Sequence, residues 1–498
     1  MRRSLSYRVF LSEGLKDRVL ELIEQFPPEI NNFKRDKLFY ILSLICEIPA
    51  RNKRNGESLR GYTNINATLL RTVVYDYKRY IEYLMKQGVI VCDGCYKPGE
   101  KSLGYKLRGE YVGKVKPAYI QNPELLRKLK RNGLELIIRS KKYKHLKKWF
   151  DDLEIDFKGA YDYIIAQYAM KVMNPELRDW DAKRERFKEP IEQYNAALVN
   201  LYYLKDRRIS FFVDDNVGRL HTNLTNIQSD LRNFITWKGQ KLVSIDISNS
   251  QPFLSTLLFR ESFYNDDSRD CQKFTLSSFS GELSLSFGFG FPFSSFSCYH
   301  NLTYSADIAN TTLVFPPLML QKPPQLTEQE DVKLFLELVE KGQLYEYLKG
   351  AFGSVLGTTY TDKKRVKAAV FQVLFTDNRF LGQEEAAPKK LFKKIFPNVY
   401  KLFAAYKKGD ATVLPRLLQK IEARIILDVV AKRISRERPK APIFTIHDSI
   451  TTTVENVDFV KMVMRDELER VIGIIPNLKV ERWEFEELDS RVLEMMSA

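Results

Sequence analysis

Apolar residues return every three or four positions over long stretches of the chain, and shorter stretches alternate or run unbroken, so both helices and strands are expected. Residues 36–47 read as an apolar-periodic helix, residues 56–67 as turn residues with a short helix, and residues 68–86 as one long amphipathic helix capped by Thr68 and ended by Gly88. Residues 89–92 then read as a strand, residues 93–104 as a Gly/Pro/Lys hairpin tip, and residues 105–108 as the returning strand. Residues 149–208 are helical in pattern, with Tyr161, Tyr163, Tyr168 and Tyr194 on apolar faces. Further on, residues 242–248 form an apolar strand. Helices are expected at 330–348, 362–375 and 415–436, and residues 443–454 are apolar on both sides of a polar turn. The mixture makes an α+β chain.

Three helices followed by a basic hairpin are the order of a winged helix. In that fold the third helix enters the major groove and the hairpin touches the backbone, which would put Arg71, Tyr75, Lys78, Arg79, Lys97 and Lys101 near DNA. A helical module whose tyrosines are simply core fits the same pattern. Cys92-Asp-Gly-Cys95 has no second ligand pair nearby, so a turn with two incidental cysteines is the better reading than a zinc site.

The chain has 498 residues and a formal charge of +16, and 44% of its residues are hydrophobic. That length allows several domains, and no apolar run approaches the roughly 18 residues that a membrane-spanning helix needs. No membrane role is expected, and without the apolar core of a signal peptide behind Arg2 and Arg3 a cytoplasmic location is. Five cysteines do not make a secreted disulfide framework. The charge is uneven. Residues 1–150 hold 32 Lys or Arg against 15 Asp or Glu, so the excess is N-terminal. It peaks at residues 127–148, where Tyr143 and His145, with Trp149 just beyond, are interleaved with cations; such a segment is either a solvated helical face or a footprint on nucleic acid. Residues 274–296 form a Phe/Ser/Gly tract inside an insertion expected at 263–324, for which the sequence suggests no function.

Two strands each deliver a lone carboxylate: Asp246 ends one, and Asp448 sits at the tip of the 443–454 hairpin. Each alone is explained by capping. Side by side in one sheet, the two would repel unless metal ions neutralised them, which is the floor of a two-metal phosphoryl-transfer site. In the helix at 362–375 a spacing of four puts Lys363, Lys367, Phe371 and Phe375 on one face, beside an apolar stripe of Val366, Val370 and Leu374. Cations in a first turn oppose the helix dipole at about 0.3–1 kcal/mol each, so a bound anion would rationalise them. A basic solvent face with two core phenylalanines is the plainer alternative.

Together these segments resemble the palm and fingers of family A DNA polymerases and their relatives, the single-subunit RNA polymerases. Asp246-x-Ser248 resembles motif A, Lys363-x3-Lys367-x3-Phe371-x3-Phe375 resembles motif B, and His447-Asp448-Ser449 resembles motif C, in the family's order. Gly218-Arg219-Leu220-His221 with Asn226-Ile-Gln228 is similar to the stretch before motif A, and Leu478-Lys-Val-Glu481 to the closing strand. The resemblance spans about residues 215–490. It implies a right-hand polymerase (palm, fingers, thumb) over residues 215–498; ahead of it the residue pattern gives a basic helical linker and thumb-like region at 116–214 and a winged-helix-like domain at 1–115. It implies that Asp246 and Asp448 hold two Mg2+ ions, with Mn2+ as a substitute, and that the Ile247 carbonyl is a further ligand. Lys363 and Lys367 would bind the incoming triphosphate, Phe371 and Phe375 would stack near the nascent base pair, and Arg219, Gln419 and His447 would contact the primer end or its template partner.

Departures from the family pattern bear on the sugar. Gln251 stands where the DNA polymerases have a Glu that crowds a ribose 2′-OH, and Phe253 where they have Arg. Motif B begins with Lys363 rather than Arg and ends in Phe375-Thr376 rather than Tyr-Gly. The expectation is a template-directed DNA polymerase of a virus, plasmid or other mobile element, acting on a DNA primer-template with dNTPs, with replication accessory proteins as further partners and no exonuclease. A single-subunit RNA polymerase or primase-like enzyme, and a DNA-binding replication initiator without activity, are the alternatives left open.

Overall fold

The computed structural model describes residues 6–51, 61–98, 101–130, 141–181, 186–264, 326–357, 363–382 and 386–497. The 274–296 tract and nearly all of the expected insertion lie outside them. Helix and strand are mixed along the chain, and the buried residues form two clusters. One gathers residues between Val9 and Leu129; the other runs from Phe10 to Val492.

The first cluster is built by β1 (Tyr7–Ser12), α1 (Leu15–Gln25), α2 (Arg35–Arg51), β2 (Thr63–Asn64), α3 (Ala67–Val73), α4 (Tyr77–Lys86), β3 (Ile90–Cys92), β4 (Gly104–Leu107) and β5 (Val115–Ile120). Strands β2, β4 and β3 make an antiparallel sheet in that order, and β1 pairs with β5 along their whole length. Strand β5 thus straddles the boundary expected at residue 115. The single helix expected at 68–86 is two helices. Asn66, not Thr68, caps α3, its side-chain oxygen accepting the Leu69 N–H at 3.1 Å, and Val74 is extended at φ −122° and ψ 95°. Two β-branched valines followed by Tyr75 and Asp76 are poor helix formers. The periodicity hid the break because Leu70, Val73, Val74, Tyr77, Tyr80, Ile81 and Leu84 are all buried and keep the three-to-four spacing across it. In the 56–67 stretch the described part holds β2 rather than a helix.

The second cluster centres on an antiparallel sheet. Its elements are β6 (Leu153–Ile155), α5 (Phe157–Met173), α6 (Pro190–Lys205), β7 (Phe211–Val213), β8 (Leu220–Thr222), β9 (Ile235–Trp237), β10 (Gln240–Ile247), α7 (Ser250–Ser255), α8 (Glu330–Glu340), α9 (Leu344–Leu356), α10 (Lys363–Phe375), α11 (Ala387–Ile395), α12 (Pro397–Tyr406), α13 (Val413–Ala423), β11 (Ile443–Ile446), β12 (Ser449–Thr453), α14 (Val457–Ile472) and β13 (Leu478–Arg482). Helix α13 continues through a π segment, Arg424–Val430, into Ala431–Glu437. The sheet order is β11-β12-β10-β9-β6, with β13 on the other edge of β10. The helix expected at 330–348 is also broken, by Gly342 at φ 68°, where a side chain would come within 3.0 Å of Asn477. Beyond that break α9 carries Tyr345, which feels the charge of Asp448, and Glu346, which pairs with Lys363.

The two units are joined by buried polar contacts. Glu47 of α2 accepts the Phe10 N–H at 3.0 Å and the Tyr203 hydroxyl of α6, and Asn200 of α6 donates to the Ala50 carbonyl at 3.0 Å. Asn195 accepts the Val115 N–H at 2.9 Å. In the basic segment, Tyr143 is turned inward. Tyr143 is buried beside Asp428, which also pairs with Lys142 at 2.9 Å, and Trp149 packs edge-on against Trp237. His145 and Trp149 are half-buried.

Candidate active site

The polar end of the central sheet is set by register. Strand β10 pairs with β12 so that Asp246 lies opposite Ser449, and with β13 so that Asp246 lies opposite Lys479 and Ser244 opposite Glu481. Paired residues of antiparallel strands share a face. Asp246, Ser449, Ser244 and Glu481 therefore form one polar face, while Ile245, Ile450 and Val480 share the other. Strands β11 and β12 are joined by a two-residue turn whose first residue, His447, takes the left-handed conformation at φ 55°. The turn sets Asp448 next to Ser449, at the end of the strand that borders Asp246.

Burial is the main cause that pushes the Asp246 carboxyl up to about 6; the negative charges of Asp448 and Glu481 add to it, and the hydroxyls of Ser244 and Ser449 oppose it. Arg232, half-buried nearby, feels the charges of Asp246, Glu481 and Asp230. After β10 the chain reverses through Asn249, also left-handed at φ 53°, into α7, which carries Gln251. Gln251 donates to Glu422 Oε2 at 2.7 Å, and Arg219 donates to the same oxygen at 2.7 Å. Glu422 is 1% exposed, and burial, with a contribution from Asp448 and against Arg219, lifts its carboxyl to about 7. Gln419 is half-buried one turn before Glu422 on α13. His447 lies edge-on to His221, whose ring meets Asp214 at 3.2 Å.

Helix α10 buries Val366, Ala369, Val370, Val373 and Leu374, the stripe expected from spacing and its neighbours. Lys363 and Lys367 are exposed. Lys363 pairs with Glu346 of α9 at 3.0 Å; the adjacent Tyr345 is buried, and its hydroxyl is pushed up by burial and then by the charge of Asp448. The N-terminus of α10 is thereby tied to an element that borders the carboxylates. Phe371 and Phe375 are half-buried and stacked on each other at 5.2 Å, with the Lys367 ammonium 5.7 Å from the Phe371 ring centre.

In the N-terminal unit Lys78 and Arg79 are exposed on α4, and Arg71 at the end of α3 lies 5.0 Å over the ring of Tyr75, which is 70% exposed in the turn between the helices. Lys97 and Lys101 face each other across the hairpin. Lys101 pairs at 2.7 Å with Asp93, whose carboxylate also accepts the Gly104 and Cys95 N–H groups. The Cys92–Cys95 turn is organised by Asp93, and both thiols are free.

Four residues of this site were not singled out from sequence: Glu422, Tyr345, Glu346 and Arg232. Glu422 had a readable signal, a lone acid four positions after Leu418 on the apolar face of its helix. The others are ordinary until the helix break at Gly342 and the sheet bring them in.

Among the described residues no group of three or more His, Cys, Asp or Glu is gathered to hold a metal, and no helix is long and apolar enough to cross a membrane. No family model matches the sequence, and neither does any curated protein. Among solved structures, the POL domain of Pol1 from M. smegmatis, in complex with DNA primer-template and dNTP, is similar over 72% of this chain and 73% of that one, at 12% identity and a TM-score of 0.37. A likeness this distant carries no argument about activity.

Proposed function

We propose that the protein is a template-directed DNA polymerase that extends a primer 3′-OH with dNTPs. The observation that carries the reading is the register of β10 against β12, which sets Asp246 beside the hairpin tip of Asp448 and in reach of its charge. A half-buried carboxylate pushed up by desolvation and then by a second carboxylate is a place where divalent cations relieve both. Two carboxylates fit Mg2+, which is commonly held by one or two such groups together with water and substrate phosphates. Asp246, Asp448 and the Ile247 carbonyl would hold the ions. When bound, they supply charge neutralisation at the attacking hydroxyl and the departing pyrophosphate.

The chain's own residues do the rest. Lys363 and Lys367 stand at the exposed start of α10, where a polyphosphate offsets cations that oppose the helix dipole. Lys363 exchanges its Glu346 partner for phosphate in this reading, since an exposed pair is worth little. The Phe371 and Phe375 rings, with one face each against the other, offer an apolar edge to a base. Arg219, Gln419 and His447 would contact the primer end or its template partner, and Gln251 the incoming nucleotide. Upstream, the order α2, β2, α3, α4, β3, β4 with sheet order β2-β4-β3 supports a winged helix, whose exposed Arg71, Lys78, Arg79 and Lys97 would meet DNA phosphates.

The test is primer extension on one template, with dNTPs and with NTPs in parallel. Extension should require Mg2+ or Mn2+ and favour dNTPs. Asp448→Asn should lower it by about a thousandfold or more while leaving DNA affinity within about twofold. Equal loss of affinity and synthesis would mean that Asp448 serves the fold rather than the reaction.

A further inference from the structure

Strand β10 is held unequally on its two sides. Its ladder with β12 stops at Asp246 and Ser449, whereas the one with β13 runs on to Ile247 and Leu478. Ser248 extends that second ladder by two bonds to a single residue. Its N–H donates to the Asn477 carbonyl at 2.8 Å, and its hydroxyl donates to Asn477 Oδ1 at 2.9 Å. The next residue, Asn249, is left-handed at φ 53° and reverses the chain, so the Ile247–Ser248 peptide is the last one that the sheet fixes. Asn477 is itself seated against the turn at Gly342, where a Cβ would stand 3.0 Å from its Cγ and Nδ2. The backbone bond alone would let the Ile247–Ser248 peptide swing about it; the side-chain bond, made by the same residue, removes that freedom.

We propose that Asn477 is a positioning residue for the metal ions: through Ser248 it aims the Ile247 carbonyl at the hairpin tip that carries Asp448. The proposal rests on the polymerase reading and deepens it. The Ile247–Ser248 peptide is trans, so its C=O and N–H point in opposite directions. With the Ser248 N–H directed to β13, the Ile247 oxygen is directed to the other side of β10, where β12 runs. Ser449 is the first residue of β12 and stands opposite Asp246, so one step further along β10 the carbonyl faces the turn of His447 and Asp448. It then stands with the carboxylates of Asp246 and Asp448 at one end of the sheet, all of them hard oxygen donors of the kind that Mg2+ and Mn2+ take. Released from Asn477, the peptide turns and the carbonyl leaves that direction, while both carboxylates stay. The ions are then bound more weakly. Asn477 touches neither ion nor nucleotide in this role.

The test measures Mn2+ binding to the full chain without DNA, by electron paramagnetic resonance of the free ion, taking the binding lost in Asp448→Asn as that of the site. The Mg2+ dependence of primer extension is measured in parallel. Asn477→Ala and Ser248→Ala should each weaken Mn2+ binding about fivefold, as the loss of one hydrogen bond, and raise the half-saturating Mg2+ by a similar factor. The double variant should stay within about twofold of either single one, because the two side chains share one bond. Ser248→Thr keeps the hydroxyl and should bind Mn2+ within about twofold of the wild type. Raising Mg2+ should recover the extension that the variants lose. A role confined to the fold predicts a lower Tm with metal affinity and Mg2+ dependence unchanged, which overturns the proposal alone; losses that multiply in the double variant do the same. Should Asn477→Ala not fold, Ser248→Ala carries the same expectation. A folded wild type that neither binds Mn2+ through Asp448 nor extends a primer with any nucleotide overturns the polymerase reading and this proposal together.

Discussion

Lys407 shows how far single side chains here are governed by their surroundings. It is 3% exposed at the end of α12, and its ammonium donates to the carbonyls of Val373 and Thr376, where α10 ends. Lys389 of α11 donates to the carbonyls of Thr376 and Asp377 from another side. Cations suit a helix C-terminus, yet burial, with the charge of Lys389 adding and Asp377 opposing, lowers the Lys407 amine to about 7. The unfolded chain, with an ordinary lysine near 10.5, binds the proton more tightly than the folded one. This group's contribution to stability therefore rises as pH climbs from about 7 toward 10.5, and its penalty is complete below 7. Lys407→Met removes the dependence. In urea unfolding, wild-type stability relative to that variant should increase by about 2 kcal/mol between pH 6 and pH 9. A constant difference across that range would mean that the lysine stays protonated in the folded protein throughout.

At the scale of elements, α10 and α4 each carry a face that packing does not explain. On α10 the core takes Val366, Val370 and Leu374 and leaves Lys363 and Lys367 to solvent. Lys367→Ala should raise KM for dNTPs about tenfold or more in steady-state extension, with unfolding shifted by less than about 0.5 kcal/mol, because an exposed lysine contributes little to the fold. If both parameters hold at wild-type values, the basic face is only a solvated one. On α4, Lys78 and Arg79 face outward while Tyr77, Tyr80 and Ile81 fill the core. Replacing Lys78 and Arg79 by Ala should reduce the slope of log affinity for duplex DNA against log salt by about 0.9 for each phosphate no longer neutralised. The same substitution at Lys101 should act through the hairpin instead, since Asp93 holds that lysine.

For the whole molecule, the decisive feature is that the two cores are fastened together. Glu47 is buried and spans the junction, accepting from Phe10 N–H within its own unit and from Tyr203 across it. Tyr203→Phe leaves that carboxylate short of a donor in a dry setting. It should destabilise by about 1–3 kcal/mol, read in a denaturant curve. If the junction holds the units rigidly, the loss appears in one shared transition; if they part first, the N-terminal unit melts in a transition of its own. A fixed junction would keep any duplex gripped by the N-terminal unit at a constant distance from the sheet that carries Asp246 and Asp448.

Much of this was legible in one dimension. The strand ending at Asp246, the hairpin tipped by Asp448 and the stripe along α10 follow from periods of two and three to four residues, which depend only on local geometry and on which side chains avoid water. The N-terminal order of helices and hairpin was legible for the same reason, although the break at Val74 was not, since its flanking apolar positions stay in phase. What only the tertiary structure decided is which polar groups meet. Strand register brought Asp246 to the hairpin tip, the turn at Gly342 brought Tyr345 and Glu346 toward Asp448 and Lys363, and three separate elements brought Arg219, Gln251 and Glu422 into one cluster. Several of these meetings join residues some two hundred positions apart. They depend on how whole elements pack, and no local pattern of hydrophobicity encodes them.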